Sequence, residues 1–156
     1  MMRTSLIGLG CVLVGCGGIA PMSGDYTGTT TLVADTCGID EDTEVGDSQD
    51  FETTIVFNED GSVVFDDDDD LDCTADGAIV TCTLTDVSST DEADYTITQI
   101  LALEIVWDTN TSFTGSQTVS ISCEGADCSV LEDNGFSFPC SSDYDLAGAM
   151  AEDAAE

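Results

Sequence analysis

The side chains in this sequence that could carry chemistry are almost all thiols and carboxylates. The chain has 8 cysteines and 33 aspartates and glutamates, against one arginine, no lysine and no histidine. Without histidine, neither a Ser-His-Asp triad nor a Cys-His pair can be assembled within the chain. A pair of carboxylates, as in glycosidases, is the one common catalytic arrangement that this composition permits. We therefore expect no enzyme activity and no cofactor, and a carboxylate-based enzyme is the least favoured alternative.

The cysteines that follow residue 16 form an even set, as expected of an exported protein with disulfide bonds. Six cysteines predict three bridges among 15 possible connectivities, and the absence of any Cys-x-x-Cys pair argues against zinc. A two-residue turn at Asp76-Gly77 would place Cys73 opposite Val80, whereas a four-residue loop would place it opposite Cys82. The pairings that we predict are Cys73 with Cys82, Cys123 with Cys128 across a tight loop, and Cys37 with Cys140 between the first loop and the last strand.

A run of five aspartates is the second cluster that could do chemistry. The run consists of Asp66, Asp67, Asp68, Asp69 and Asp70. A calcium ion takes about six to eight oxygen ligands in defined directions, and this run lacks the alternating ligands, the glycine and the final glutamate of an EF-hand loop. We interpret it as a solvated connection between strands, with a weak calcium site as the alternative, and we predict no other metal site.

The net charge excludes several classes of partner. Arg3 is the only basic residue, so the formal charge is −32, and it becomes −33 once a leader that contains Arg3 is removed. Binding to nucleic acid depends on lysines and arginines that neutralise phosphates, and attraction to anionic lipid head groups fails for the same reason. Such acidity suits surroundings rich in salt or divalent cations, where charges are screened, and it fits either salt adaptation or cation binding.

The first 16 residues have the organisation of a bacterial export signal. One positive charge at Arg3 precedes an apolar run over residues 6–14, which is far shorter than the roughly 20 residues of a membrane span. Leu13-Val14-Gly15-Cys16 resembles the lipobox of bacterial lipoproteins, which are cleaved before the cysteine and carry fatty acyl chains such as palmitate on it. The resemblance implies a signal peptide over residues 1–15 and lipidation of Cys16. Because a glycine rather than an aspartate follows, it also implies anchoring to the outer membrane, on its periplasmic or external face.

The rest of the chain has the short apolar and polar alternation that is typical of β-strands, without a sustained helical period. We expect a flexible tether over residues 16–23, a disulfide-stapled β domain over residues 24–141 and an acidic, mobile tail over residues 142–156. Residues 26–33 are the first strand candidate, and an acidic loop over residues 35–50 follows them.

The clearest hairpin turns at Asn58-Glu59-Asp60-Gly61, where glycine suits the left-handed position. A three-residue loop there sets Phe57 opposite Val63 and Ile55 opposite Phe65. Both pairs then lie on one face of the sheet, so the register is self-consistent.

Two further hairpins are predicted in the second half of the chain. Residues 95–107 are the most apolar segment and should pair with residues 113–121, because their threonine and isoleucine content argues against a helix. Asn134-Gly135 predicts a tight turn between Val130-Leu131 and residues 136–138. The register expected for the long hairpin pairs Trp107 with Thr111, Ile105 with Phe113 and Ile97 with Ile121.

These elements predict an all-β fold, an antiparallel meander of about eight strands that forms a small up-and-down barrel or a β-sandwich. Gly24-Asp25-Tyr26 is similar to the Gly-x-Trp opening of lipocalins, with tyrosine in place of tryptophan and without the arginine that packs on it. More generally, the chain resembles small, cysteine-rich, β-rich outer-membrane lipoproteins of uncharacterised function.

The function that we predict is a binding or structural role for a β domain held at the outer envelope through the lipid on Cys16. A calcium-binding acidic surface protein is the alternative. A closed barrel could hold a small apolar ligand in its interior. A cavity lined by Phe57, Phe65, Leu103 and Trp107 would favour ligand binding, whereas a filled core would favour a structural role.

Overall fold

A computed structural model of the chain describes residues 18–38, 44–66, 71–89, 93–133 and 135–151. These residues form eight strands and one short helix, α1 (Cys128–Asp133). The strands are β1 (Gly24–Asp35), β2 (Ser48–Phe57), β3 (Val63–Phe65), β4 (Asp72–Asp76), β5 (Ile79–Ser89), β6 (Thr96–Trp107), β7 (Ser112–Glu124) and β8 (Cys140–Met150).

All eight strands belong to one antiparallel sheet that curls into a nearly closed barrel. The strand order is β3-β2-β1-β8-β7-β6-β5-β4, so each strand lies beside its neighbours in sequence and β8 lies beside β1. The two edge strands meet at a bridge between Ser62 and Thr74, and the Ala75 amide donates to the Gly61 carbonyl at 2.9 Å. The structure thus confirms the predicted all-β meander and its closure as an up-and-down barrel. Closure leaves few unpaired backbone groups at the edges of the sheet.

The short hairpins have the predicted facing residues. In β2 and β3, Phe57 lies opposite Val63 and Ile55 opposite Phe65, as expected. In β4 and β5, Cys73 lies opposite Cys82. That register is the one expected of the longer loop, but the turn itself consists of two residues, Gly77-Ala78, rather than Asp76-Gly77.

The register predicted for the long hairpin is wrong by two residues. Trp107 lies opposite Phe113, not Thr111, and Ile105 lies opposite Gly115. The reason is the loop, which spans residues 108–112 and is closed by a hydrogen bond of 2.9 Å from the Asp108 amide to the Ser112 carbonyl. A shift of two residues keeps every side chain on its predicted face, because side chains alternate with a period of two.

The predicted tail over residues 142–156 is wrong as far as residue 151, because β8 lies between β1 and β7 and pairs with both. Its alanines and glycine are poor strand formers, and they made the segment look as if it had little to bury. Hydrogen bonds on both edges hold it, and Gly148 lies beside the Phe113 ring, where a β-carbon would meet the ring at 2.4 Å. The small residue therefore leaves the space that the ring needs. Residues 152–156 lie outside the described residues.

The hairpin predicted at Asn134-Gly135 is also wrong, since Val130 and Leu131 belong to α1. Gly135 has φ of 99°, its amide donates to the Glu132 carbonyl at 3.0 Å, and the Phe136 amide donates to the Leu131 carbonyl at 3.2 Å. A glycine with positive φ just after a helix is a common helix end. The glycine thus ends a helix here instead of turning a hairpin. Asn134 itself lies outside the described residues.

Residues 18–23 cover one end of the barrel, which we call the closed end, so they do not form the flexible tether that was predicted. Ile19 packs against the core. The Met22 amide donates to the Asn110 carbonyl at 3.0 Å, and the Phe57 amide donates to the Ser23 hydroxyl at 2.9 Å. The segment is therefore attached to the β6–β7 loop and to the last residue of β2. Residues 16 and 17 lie outside the described residues.

The half of the barrel behind this segment is filled by aromatic side chains. Tyr26 and Trp107 are fully buried, and their rings meet edge to face with centroids 5.1 Å apart. Phe57 and Phe113 pack on the same tryptophan at 5.6 and 5.0 Å. The Tyr26 hydroxyl donates to the Met22 carbonyl at 2.6 Å, and burial raises the pKa of Tyr26. Rings packed at these distances stabilise a core beyond the area they bury.

Candidate functional site

The opposite half of the barrel, which we call the open end, contains a cavity of about 430 Å³. The inner faces of five strands contribute to its walls, because alternate residues of each strand point into the barrel. Three of its residues are apolar, Leu32, Val119 and Ile121. The others carry hydrogen-bonding groups and are Thr30, Asp35, Asp47, Gln49, Gln99, Ser142 and Tyr144.

A β-bulge in β1 directs one carboxylate into this cavity. Up to Leu32 the even-numbered residues of β1 point inward, and the pairing with β8 then shifts between Leu32 and Ala34. An extra residue in one strand re-aims the side chains that follow it. Asp35 consequently lies opposite Ser142 on the inner face, and Cys37 continues the same alternation. The sequence placed Asp35 in an acidic loop, because nothing local marks the bulge.

The Asp35 carboxylate is held in place by three donors. One oxygen accepts from the Cys37 amide at 2.9 Å and from the Ser142 hydroxyl at 2.7 Å, and the other accepts from the Gly38 amide at 3.1 Å. These hydrogen bonds, the one from Ser142 first, lower the pKa of Asp35, and its partial burial opposes them only in part. The side chain is therefore a fixed negative charge at the cavity wall.

The other polar side chains of the cavity make few hydrogen bonds to the residues that the structure describes. The side chains of Thr30, Gln49, Gln99 and Tyr144 make no hydrogen bond to any residue in the described ranges. Within the described ranges, the Asp47 carboxylate accepts a hydrogen bond from the Glu44 amide at 2.9 Å, and Asp47 is exposed. A concave site with a few convergent polar groups is the usual form of a small-molecule site.

A second, largely apolar cavity of about 260 Å³ also opens to solvent, and Thr53 and Asp66 contribute polar groups to its lining. We call it the deeper cavity because it lies nearer the closed end. Phe51, Leu103 and Leu146 line it, and they are the inward residues that follow Gln49, Leu101 and Tyr144 on the same strands. Of the four residues predicted to line a cavity, Phe65 and Leu103 do so, whereas Phe57 and Trp107 belong to the filled aromatic core. The two cavities follow one another along the strands, with the polar one nearer the open end.

The six cysteines form the three disulfides predicted for the β domain. Cys73 bonds to Cys82 between neighbouring strands, and Cys123 bonds to Cys128 between β7 and α1. Cys37 bonds to Cys140, with a Cα–Cα distance of 4.8 Å across a sequence separation of 103 residues. This last bridge lies next to the Asp35–Ser142 pair, so it fixes β1 to β8 at the wall of the polar cavity.

The aspartate run is only partly described. Asp66 has φ of 51°, its amide donates to the Thr54 carbonyl at 2.9 Å, and its carboxylate accepts from the Thr54 amide at 2.7 Å. Its side chain thus ends the β2–β3 ladder. Asp67, Asp68, Asp69 and Asp70 lie outside the described residues. Among the residues that the structure does describe, no three acidic or cysteine side chains are grouped so as to hold a metal ion.

The predicted lipidation site and signal peptide lie outside the residues that the structure describes. Cys16 and the signal peptide over residues 1–15 precede the described residues. Among the helices of the described part, none is long and apolar enough to cross a membrane. No protein-family model, curated protein or solved structure matches the chain.

The sequence did contain one signal for the polar cavity. In residues 95–107 the inward-facing positions are apolar except for Gln99, and this exception is a cavity residue. Gln49 and Tyr144 had no such mark, because the strands that carry them were assigned to a loop and a tail. Recognising them requires the pairing of β8 with β1 and β7.

Proposed function

We propose that this protein is a lipid-anchored envelope protein whose barrel binds a small ligand through its open half. The observation that carries the binding role is the polar cavity of about 430 Å³, in which the side chains of Gln49, Gln99 and Tyr144 make no hydrogen bond to another described residue. A barrel with a purely structural role would be expected to fill its interior throughout, as this one does at the closed end. The role is one of binding rather than catalysis, because the one hydroxyl–carboxylate pair described in the cavity is Ser142 with Asp35, and the lowered pKa of Asp35 makes that carboxylate a weak base.

The position of residue 18 supports an orientation for the anchored protein. Gly18 begins the segment that covers the closed end, and the lipid proposed on Cys16 would be two residues away, within about 8 Å along the chain. An anchor of several acyl chains binds a bilayer stably, whereas one chain binds only marginally. The closed end would then face the membrane, and the polar cavity would open away from it.

The anchor is tested by metabolic labelling with a radioactive fatty acid. The wild-type chain should take up label and enter the membrane fraction, whereas Cys16→Ser should do neither. Cys11→Ser is the matched control, because Cys11 leaves with the signal peptide, and it should label like the wild type. Equal labelling of the wild type and Cys16→Ser would refute the lipid anchor.

The binding role is tested with Nile red, an uncharged dye whose fluorescence rises in apolar surroundings. Gln99→Trp places a large ring in the polar cavity and should abolish the signal. Ala102→Trp, on the same strand but on the exposed outer face, is the matched control and should leave it unchanged. Binding that survives Gln99→Trp, or no binding to the wild type, would contradict the proposal.

A further inference from the structure

We propose that the ligand is an amphipathic organic cation, with its charged group between Asp35 and Asp47 and its apolar body in the deeper cavity. The inference rests on the proposed binding function and adds the class of ligand. Three features carry it, namely the charges at the cavity wall, the absence of compensating cations in the sequence, and the order of the two cavities along the barrel.

The carboxylates at the cavity wall have no cationic partner among the residues that the structure describes. Arg3 is the only basic residue of the chain, and it precedes the described residues. Asp35 is ionised and fixed by its three donors, and Asp47 lies on the neighbouring side of the same cavity. The charge of the whole chain gives the cavity a negative potential, which attracts cations and repels anions. An anionic ligand would also find no lysine or arginine to bind it.

The arrangement along the barrel matches a molecule with one polar and one apolar end. Polar groups surround the outer cavity, and Gln49, Gln99 and Tyr144 can accept or donate hydrogen bonds around a head group. Further along the same strands, Phe51, Leu103 and Leu146 contribute apolar atoms to the deeper cavity, whose lining also includes Thr53 and Asp66. Moving an alkyl chain from water into such surroundings is favourable because it removes apolar surface from water.

The hydrogen bonds that Asp35 already accepts favour a head group whose positive charge is delocalised over several atoms. Asp35 already accepts three hydrogen bonds, so a cation near it gains mainly from charge, with few acceptor positions left. Quaternary ammonium groups have this character, because they donate no N–H hydrogen bond. The Tyr144 ring lines the same cavity, and an aromatic face attracts such a cation.

The test compares three probes with the same ten-carbon chain by isothermal titration calorimetry, below their critical micelle concentrations. Decyltrimethylammonium should bind the folded, disulfide-bonded protein at least tenfold more tightly than decanol, and decyl sulfate should not bind. Asp47→Asn should weaken decyltrimethylammonium about fivefold, since a partly exposed charge pair contributes up to about 1 kcal/mol. Asp108→Asn removes the same charge at the closed end and should weaken binding less than twofold.

Each outcome separates the ligand class from the binding function. Equal affinity for decanol and decyltrimethylammonium, with Nile red binding intact, would refute the cationic class and leave the cavity as the site. Equal losses in Asp47→Asn and Asp108→Asn would show that the cation responds only to the overall charge, which would refute the assigned position. Cation binding that survives Gln99→Trp would place it on the acidic surface. Failure of every probe, Nile red included, would overturn the proposed function as well.

Discussion

Gly148 should be the residue of β8 at which an added methyl group is most damaging. An ideal β-carbon at this position would lie 2.4 Å from Cζ and 2.8 Å from Cε1 of Phe113. Ordinary contact between carbon atoms is about 3.5–4.0 Å, so the tip of the ring would have to withdraw by about 1 Å. The ring cannot withdraw freely, because its centroid lies 5.0 Å from that of Trp107 and 5.8 Å from that of Tyr26.

We expect Gly148→Ala to lower the free energy of unfolding by about 1–3 kcal/mol, the usual cost of an extra group in a packed core. Urea denaturation of the disulfide-bonded protein measures this as a lower midpoint with an unchanged slope. Gly18→Ala is the matched control, because no atom lies within 4 Å of its ideal β-carbon. Its effect should be close to zero or slightly stabilising, since alanine restricts the unfolded chain.

A double-mutant cycle then identifies the clash itself. Leucine at position 113 lacks the three ring atoms that approach Gly148, so Gly148→Ala should cost less than about 0.5 kcal/mol in a Phe113→Leu background. The coupling between the two positions would then nearly equal the cost of the single substitution. An unchanged cost in that background would refute the reasoning, and so would equal effects of Gly148→Ala and Gly18→Ala.

Three further predictions concern the bridges, the cavity carboxylate and the overall charge. Replacing Cys37 and Cys140 by serine should lower the free energy of unfolding, measured by urea denaturation, by about 4–5 kcal/mol, whereas replacing Cys123 and Cys128 should lower it by about 2 kcal/mol. The reason is that a bridge between residues 103 apart restricts the unfolded chain more than a bridge between residues 5 apart; equal losses would contradict this. Asp35→Asn should destabilise the protein most at pH 6–7. Because the folded pKa is lowered, that stabilisation is present above the unfolded value of about 3.9 and is lost as pH falls through the lower folded value; a difference between wild type and variant that persists at pH 2 would count against it. Sodium chloride should raise the melting temperature by screening the acidic residues, and calcium chloride at equal ionic strength should raise it no further unless a specific calcium site exists.

Most predictions that succeeded depend on short-range patterns, and the Cys37–Cys140 bridge, with a separation of 103 residues, is the exception. Alternation and turn residues indicated the β2–β3 hairpin with its facing pairs, and the close spacing of Cys73 and Cys82 indicated their bridge. Where two readings of a local signal compete, the sequence was misleading. Asn134-Gly135 suits a hairpin turn, but Gly135 ends α1 instead. The Cys123–Cys128 bridge also holds α1 to β7.

The candidate site was largely hidden from the sequence because its residues meet only through distant pairings. Asp35 enters the cavity because of a bulge against β8, about 110 residues later in the chain, and β8 itself looked like a tail of small and acidic residues. Gln99 was the exception, since it interrupts an otherwise apolar face. The sequence pattern also did not indicate the loop length that sets the β6–β7 register, because the predicted and observed registers both keep the same side chains inward.

By itself, the sequence determined the chemistry available to this protein. With one arginine, no lysine and no histidine against 33 acidic residues, the chain has almost no basic side chain for phosphate contacts and none for histidine-based catalysis, whatever its fold. Alternating apolar residues indicated the β fold class and the even set of cysteines indicated disulfides, because both follow from residue types and their spacing. Only the tertiary structure decided which half of the barrel is filled and which is hollow. That depends on how side chains from strands far apart in sequence share the interior volume, and on Gly148 leaving space for the Phe113 ring.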